Sequence, residues 1–213
     1  MAAPTPPAGT ATTATTVPTP RRPLDAPAGT DPVQQWYEDE LGWAATVGPE
    51  GVRLRTGLRF DVLELPADAG FAMLRRCDPR SPVAVRGETM QLLVAAGSAD
   101  ELPGLLDWLE WGTLPLDLVG IGSGGFIDAP TPPGWSGSQE AAVWVRPPEP
   151  GREMEPVLPA LTTLTAVSTW SVVGGGGGAP DLVRLVDTAA THCHRARLRR
   201  AYTEPTRQPL AFS

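Results

Sequence analysis

Three carboxylates in this chain stand where they could hold a divalent metal ion. Asp61 and Glu64 lie in "GLRFDVLELPADAG", a pattern typical of a short buried strand followed by a helix that begins at "PADAG". Asp117 lies in a later segment, "LDLVGIGSGGFIDAP". Because phosphoryl-transfer enzymes hold Mg²⁺ or Mn²⁺ on convergent carboxylates, these residues raise the question of a nucleotide-handling metal site.

The spacing of the first two acids argues against a working metal pair. Side chains alternate between the two faces of a strand, so residues three positions apart point to opposite faces. Asp61 and Glu64 have this spacing, and only a β-bulge would bring them together. We therefore predict no metal site and no catalytic residue. In the alternative that the protein is an active enzyme, Asp61, Glu64 and Asp117 are the candidate metal ligands.

Composition limits the classes of partner. The net charge is −7, and the 17 basic residues are all arginine. An acidic balance disfavours a general nucleic-acid binder, although it leaves nucleic acid as an alternative to a protein partner. Cys77 and Cys193 are predicted to be reduced, mostly buried thiols. With no apolar stretch of the ~20 residues that span a membrane, we predict a cytoplasmic protein with an unidentified protein partner and no membrane association.

The hydrophobic pattern predicts an α+β fold, with a small, mostly antiparallel sheet, hairpins and flanking helices. Asp31 is predicted to cap a first helix that Gly42 ends. Strands are predicted in "ATV", "GVRLRT" and "RFDVLEL", a helix in "PADAGFAMLRRC", and a hairpin in "PVAVRGETMQLLVAAG". Ser98 and Glu101 form the pattern of a capping box for a further helix, which Gly112 is predicted to end.

Composition shifts along the chain predict five segments. Runs rich in Pro, Thr, Ala and Gly cannot bury enough apolar surface to offset their ordering entropy. We predict a disordered tail at 1–30, an α+β domain at 31–150, a Pro/Gly-rich linker at 151–180, a C-terminal helix packed on the domain at 181–203, and a tail at 204–213.

The order of four segments resembles a known family. The segments are "WYEDELGW", "GLRFDVLELPADAG", "PVAVRGETMQLLVAAGSADELPGLLDWL" and "LDLVGIGSGGFIDAPTPP". The chain resembles the actinobacterial proteins of the bifunctional DNA primase/polymerase N-terminal domain family, the prim-pol branch of the archaeo-eukaryotic primases. The resemblance covers residues 33 to 147. It implies that the strands bearing Glu64, Gln91 and Asp117 lie side by side, with these side chains on one face.

The chain departs from the family's pattern at the positions that carry its chemistry. Trp43, in "GW", and Asp117, before a Gly-rich turn, match family motifs. Glu64 falls near the first acid of the family's metal-binding strand, but Pro66 stands in place of the second acid and Gln91 in place of a His. A prim-pol enzyme needs two acids and a metal to activate a hydroxyl and balance triphosphate charge.

The resemblance therefore implies a catalytically inactive relative, a pseudoenzyme that acts as an interaction or regulatory module and needs no cofactor. One alternative is an active nucleotidyltransferase that binds nucleotide and Mg²⁺ or Mn²⁺. A second alternative is an unrelated α+β protein of similar architecture.

Two surface features are candidates for contact with nucleic acid or a partner protein. One is the arginine run that ends the last helix, and the other is a tryptophan pair in "LLDWLEWG". The pair can share a helix face at i and i+3, where core packing is the default interpretation. A solvated helix end, favoured by the helix dipole, is the default for the arginines. The candidate residues are Arg195, Arg197, Arg199, Arg200, Trp108 and Trp111.

Two other motifs favour structural interpretations. "GIGSGGF" lacks the Lys-Ser/Thr of a phosphate-binding loop and precedes no helix, so we predict a tight hairpin turn. In "THCHRARLRR", His192 and His194 point in different directions on a helix, so they do not form a zinc site by themselves.

Overall fold

The computed structural model describes residues 31–77, 79–138, 140–161 and 181–203. The helices are α1 (Pro32–Leu41), α2 (Ala67–Leu74), α3 (Ser98–Trp108) and α4 (Leu182–Thr203). The strands are β1 (Ala45–Gly48), β2 (Gly51–Arg55), β3 (Phe60–Pro66), β4 (Val83–Arg86), β5 (Thr89–Ala95), β6 (Val119–Ile121), β7 (Phe126–Asp128) and β8 (Val143–Arg146). The predicted α+β class is confirmed. The predicted tails at 1–30 and 204–213, and residues 162–180 of the predicted linker, lie outside the described residues.

The strands form two antiparallel sheets, where the sequence predicts one. The larger has the order β6-β3-β5-β4-β8, and the smaller has the order β1-β2-β7. β3 and β5 pair over seven residues in an unbroken register from Phe60↔Ala95 to Pro66↔Thr89. Because this register has no bulge, Asp61 and Glu64 lie on opposite faces of β3, as their spacing predicts.

Both faces of β3 are covered, which explains its continuous apolar run. Leu63 and Leu65 belong to a core cluster that includes apolar residues of α2, α3 and α4. Phe60 and Val62 belong to a second cluster with residues of α1 and of the smaller sheet. The fold is therefore layered, with three helices on one face of the larger sheet and α1 and the smaller sheet on the other. In the described part of the chain, no helix combines the length and apolarity needed to cross a membrane.

Local signals place α1 as predicted. The Asp31 side chain accepts a hydrogen bond from the Val33 N–H at 2.8 Å, and Pro32 occupies the first helical position. Gly42 ends the helix in the left-handed conformation, with φ 64°. The capping and stop residues are confirmed.

The predicted ends of α3 are wrong. Ser98 is the first helical residue rather than the cap, and Gly97 at the cap position has no side chain to offer. A carboxylate from β3, described below, takes over the capping role. The helix stops at Trp108, before Gly112, and Glu110 adopts φ 66° just after it.

The predicted hairpin in "GIGSGGF" is also wrong. β6 pairs with β3 in the larger sheet, whereas β7 pairs with β2 in the smaller one. The Gly-rich segment between them carries the chain from one sheet to the other. It packs closely on the β2–β3 connection, because a Cβ at Gly57 would lie 2.2 Å from the Cα of Ser123. Close backbone approach and a positive φ of 81° together account for the glycine at position 57.

The first part of the predicted linker belongs to the domain. Met154 and Leu158 are buried in the second core cluster. The Ala95 N–H donates to the Pro159 carbonyl at 2.9 Å, so this segment also binds the end of β5. The sequence predicts a linker at residues 151–161 because prolines interrupt the hydrophobic pattern there. Two apolar side chains of this segment are nevertheless buried in the core.

Candidate functional site

Glu64 and Gln91 form the polar centre of the face that the family resemblance marks. They lie directly opposite each other on β3 and β5, and the Gln91 Nε2 donates to the Glu64 Oε2 at 3.1 Å. Gln91 is only 6% exposed, and its Oε1 has no hydrogen-bond partner among the described residues. The pair borders an open cavity of about 500 Å³ lined by Glu64, Arg86, Gly87, Thr89, Gln91 and Glu140.

An ion pair that includes one lining residue of this cavity joins the two sheets. Arg86 at the end of β4 donates to Asp128 at the end of β7, so it joins the larger sheet to the smaller one. Sequence reasoning missed this contact, because the two residues are 42 positions apart and neither lies in a recognisable motif. The Arg86 guanidinium at the cavity is therefore already paired with a carboxylate of the smaller sheet.

Asp61 serves the fold rather than the cavity. It is fully buried on the helix-covered face of β3, and its Oδ2 accepts a hydrogen bond from the Ala99 N–H at 2.9 Å. The N-terminal N–H groups of a helix lack partners within the helix, and a carboxylate there also interacts favourably with the helix dipole. Asp61 is thus the cap of α3, supplied from 38 residues earlier in the chain.

Asp117 is occupied by the last helix. Its carboxylate contacts Arg200 of α4 at 3.2 Å and Arg197 at 3.8 Å. The strands that bear Glu64 and Gln91 are neighbours, but Asp117 lies before β6 rather than in it, and its side chain is not brought together with the other two on one face.

The placement of these residues does not fit the divalent metal that an active relative would need. Asp61, Glu64 and Asp117 each contact a different part of the protein, and Glu64 meets an amide rather than a second carboxylate. Within the described ranges, no group of three His, Cys, Asp or Glu side chains lies close enough to hold a metal ion. The donor set at the cavity therefore lacks the convergent acids of a phosphoryl-transfer site.

The tryptophan pair does not share a face. Trp108 ends α3 and is 71% exposed. Trp111 lies beyond the end of the helix, packs at the edge of the first core cluster, and donates from Nε1 to Asp187 of α4 at 3.0 Å. Its ring centroid lies 6.0 Å from that of His194. Trp111 is thus a packing residue, and Trp108 remains as a contact candidate.

The two thiols have different surroundings. Both cysteines are free; Cys193 is buried and Cys77 is half-buried. Burial, followed by the nearby charges of Asp117 and Asp68, raises the pKa of the Cys193 thiol to about 12. Because the thiolate is the nucleophilic form, Cys193 is a packing residue rather than a reactive group at neutral pH.

Comparisons of this chain with protein-family models, with curated proteins and with solved structures find no match. The prim-pol resemblance therefore rests on the order of its sequence motifs.

Asp61→Ala is expected to lower the free energy of unfolding by about 2 kcal/mol, because it removes the cap of α3 and leaves a small void. Ser98→Ala is the matched control, because Ser98 follows the cap position and the hydrogen bond to the Ala99 N–H comes from Asp61. Because Ser98 is buried, this variant should cost about 1 kcal/mol or less. Urea unfolding of both variants measures the difference. A larger loss for Ser98→Ala would contradict the assignment of the cap to Asp61.

Proposed function

We propose that this chain is a prim-pol-like domain without catalytic activity, acting in the cytoplasm as an interaction or regulatory module. The observation that carries the proposal is the separate engagement of its three candidate acids. Asp61 caps a helix, Asp117 pairs with arginines of α4, and Glu64 bonds to Gln91. A two-acid metal mechanism needs these groups free and convergent.

The surface supports a binding role. Trp108 is 71% exposed, although tryptophan is a residue that folded proteins usually bury in large part. Exposed tryptophans and arginines are enriched among residues that dominate the binding energy of protein interfaces. A protein partner is also consistent with the net charge of −7, which opposes general binding to nucleic acid.

The proposal is tested by thermal unfolding with millimolar Mn²⁺ and a nucleoside triphosphate, together with primer extension. Ligand that binds only the folded state raises the melting temperature by mass action. We expect a shift smaller than about 1 °C and no incorporation of nucleotide, because the acids do not converge.

Two variants sharpen this test. Glu64→Ala removes the acid that bonds to Gln91 at the cavity, and Glu88→Ala removes an exposed acid in the adjacent β4–β5 turn. A shift of several degrees that Glu64→Ala abolishes and Glu88→Ala preserves would overturn the proposal in favour of a nucleotide-binding enzyme. Primer extension by the native protein would have the same meaning.

A further inference from the structure

Helices α2 and α4 pack side by side in opposite directions. Asp68, in the first turn of α2, contacts Arg199 and Arg200 near the end of α4 at 3.4 and 3.3 Å. Seven residues of helix make two turns, about 10 Å. Arg75, two turns after Asp68, is therefore expected beside His192, two turns before Arg199.

The electrostatic surroundings of His192 agree with this arrangement. Partial burial is the largest cause that lowers the pKa of its imidazole, and neighbouring positive charges lower it further. Those charges come from both helices, and all four are guanidinium groups on exposed residues: Arg195, Arg76, Arg75 and Arg199. Four like charges lie around one imidazole, and among the contacts of the described residues Asp68 balances only that of Arg199, so this surface is locally basic on a protein of net charge −7.

We define the basic patch by six residues of α2, of the turn that follows it, and of α4. Phe71 belongs to it because it lies between Asp68 and Arg75 on the same stripe of α2, at i+3 and i−4. Its side chain is 41% exposed, so the patch has an apolar centre between charged ends. The members are Phe71, Arg75, Arg76, His192, Arg195 and Arg199.

The arginine run of α4 divides between two roles. Arg197 and Arg200 contact the Asp117 carboxylate and hold α4 to the segment before β6. Arg195 and Arg199 lie on the stripe of His192, at i+3 and i+7, and Arg199 also contacts the Asp68 carboxylate at 3.4 Å. Of these four arginines, only Arg195 and Arg199 belong to the basic patch. Its other two arginines, Arg75 and Arg76, come from the end of α2 and the turn that follows it.

We infer that the basic patch binds an acidic segment of a partner protein. Charge complementarity selects an anionic occupant, and the exposed Phe71 ring supplies an apolar contact that a peptide with Glu and Leu side chains can match. The patch is about two helical turns long, so it suits a short segment. A nucleic acid would extend over the acidic remainder of the surface, which repels phosphate. This inference rests on the proposed function only in taking the domain to act by binding a protein.

Fluorescence anisotropy with the full chain tests the inference. The probe is a fluorescein-labelled peptide of Glu and Leu, about 14 residues long, which covers the patch with a margin. The double variant Arg75→Ser/Arg195→Ser removes two charges from the patch. The control Arg55→Ser/Arg184→Ser removes two exposed arginines outside it, one of them on α4, and gives the same net charge.

We expect the native protein to bind the peptide, the patch variant to bind about tenfold more weakly, which corresponds to about 1.4 kcal/mol, and the control to remain within about twofold. If both double variants lost the same affinity for the peptide, net charge alone would explain the binding, and the inference would be overturned. Failure of the native protein to bind the peptide would also overturn it.

A second probe separates the two classes of polyanion. Single-stranded DNA of about the same length is titrated in parallel, at several salt concentrations. If the protein bound DNA more tightly than the peptide, and the patch variant lost that DNA binding, the partner would be a nucleic acid rather than a protein. Incorporation of nucleotide would overturn the proposed function, whereas equal peptide binding by the two double variants would overturn only the inference about the patch.

Discussion

Gly57→Ala is expected to lower the free energy of unfolding by about 3 to 5 kcal/mol. Gly57 adopts φ 81°, a conformation that costs an L-residue about 1–2 kcal/mol. An added Cβ would also lie 2.2 Å from the Cα of Ser123 and 2.7 Å from its backbone nitrogen. Backbone atoms cannot rotate away as a flexible side chain can, so the two connections between the sheets would have to separate. Urea unfolding at 25 °C measures the loss.

Gly87→Ala is the matched control for this substitution. Gly87 also has a left-handed conformation, with φ 56°, but an added Cβ would meet nothing within 4 Å. Its expected cost is the conformational part alone, about 1–2 kcal/mol. The difference between the two variants isolates the contact with Ser123, and equal losses would show that the sheet connections are not tightly packed there.

Leu158→Ala is expected to lower the free energy of unfolding by about 3 kcal/mol. Truncation of a fully buried leucine to alanine usually lowers it by about 2–5 kcal/mol. Leu158 is fully buried among the residues between the two sheets, so its truncation removes apolar contacts and leaves a cavity. For a chain of this size, each kcal/mol corresponds to about 2–4 °C in melting temperature. Calorimetry should therefore show a decrease of roughly 6–12 °C.

Leu58→Ala provides the comparison, because it makes the same chemical change at a leucine that is 58% exposed. It should cost less than about 1 kcal/mol. If residues 151–180 were a linker, Leu158→Ala would lower the melting temperature no more than Leu58→Ala does. Indistinguishable melting temperatures would therefore restore the sequence-based boundary and contradict the burial of this segment.

Features set by neighbouring residues were predictable from the sequence. The cap, first residue and stop of α1 lie within a dozen positions of one another, and each acts through a short-range backbone preference. The opposite orientation of Asp61 and Glu64 follows from the two-residue period of a strand. The apolar face of α4, with Leu182 and Leu185, follows from helical periodicity.

Features set by distant residues were not predictable. Ser98 and Glu101 form a good local capping pattern, but Asp61 reaches Ala99 from another strand and takes the role. Glycines are needed both for a tight turn and for a close crossing between sheets, so "GIGSGGF" fits either. The separation of the three candidate acids was also not predictable from local sequence. Asp117 pairs with α4, and that contact depends on how the last helix packs on the sheet.

The position of α4 in the chain has a consequence for synthesis. This helix supplies much of the cover over Leu63 and Leu65, yet it begins 36 residues after the last strand ends, from Arg146 to Leu182. At about 5–20 residues per second, that separation takes roughly 2–7 seconds of translation. During that time the nascent sheet exposes the apolar surface that α4 later buries. Completion of the core must therefore wait until α4 has been synthesised, and a ribosome that stalls before residue 182 would hold an aggregation-prone intermediate that chaperones recognise.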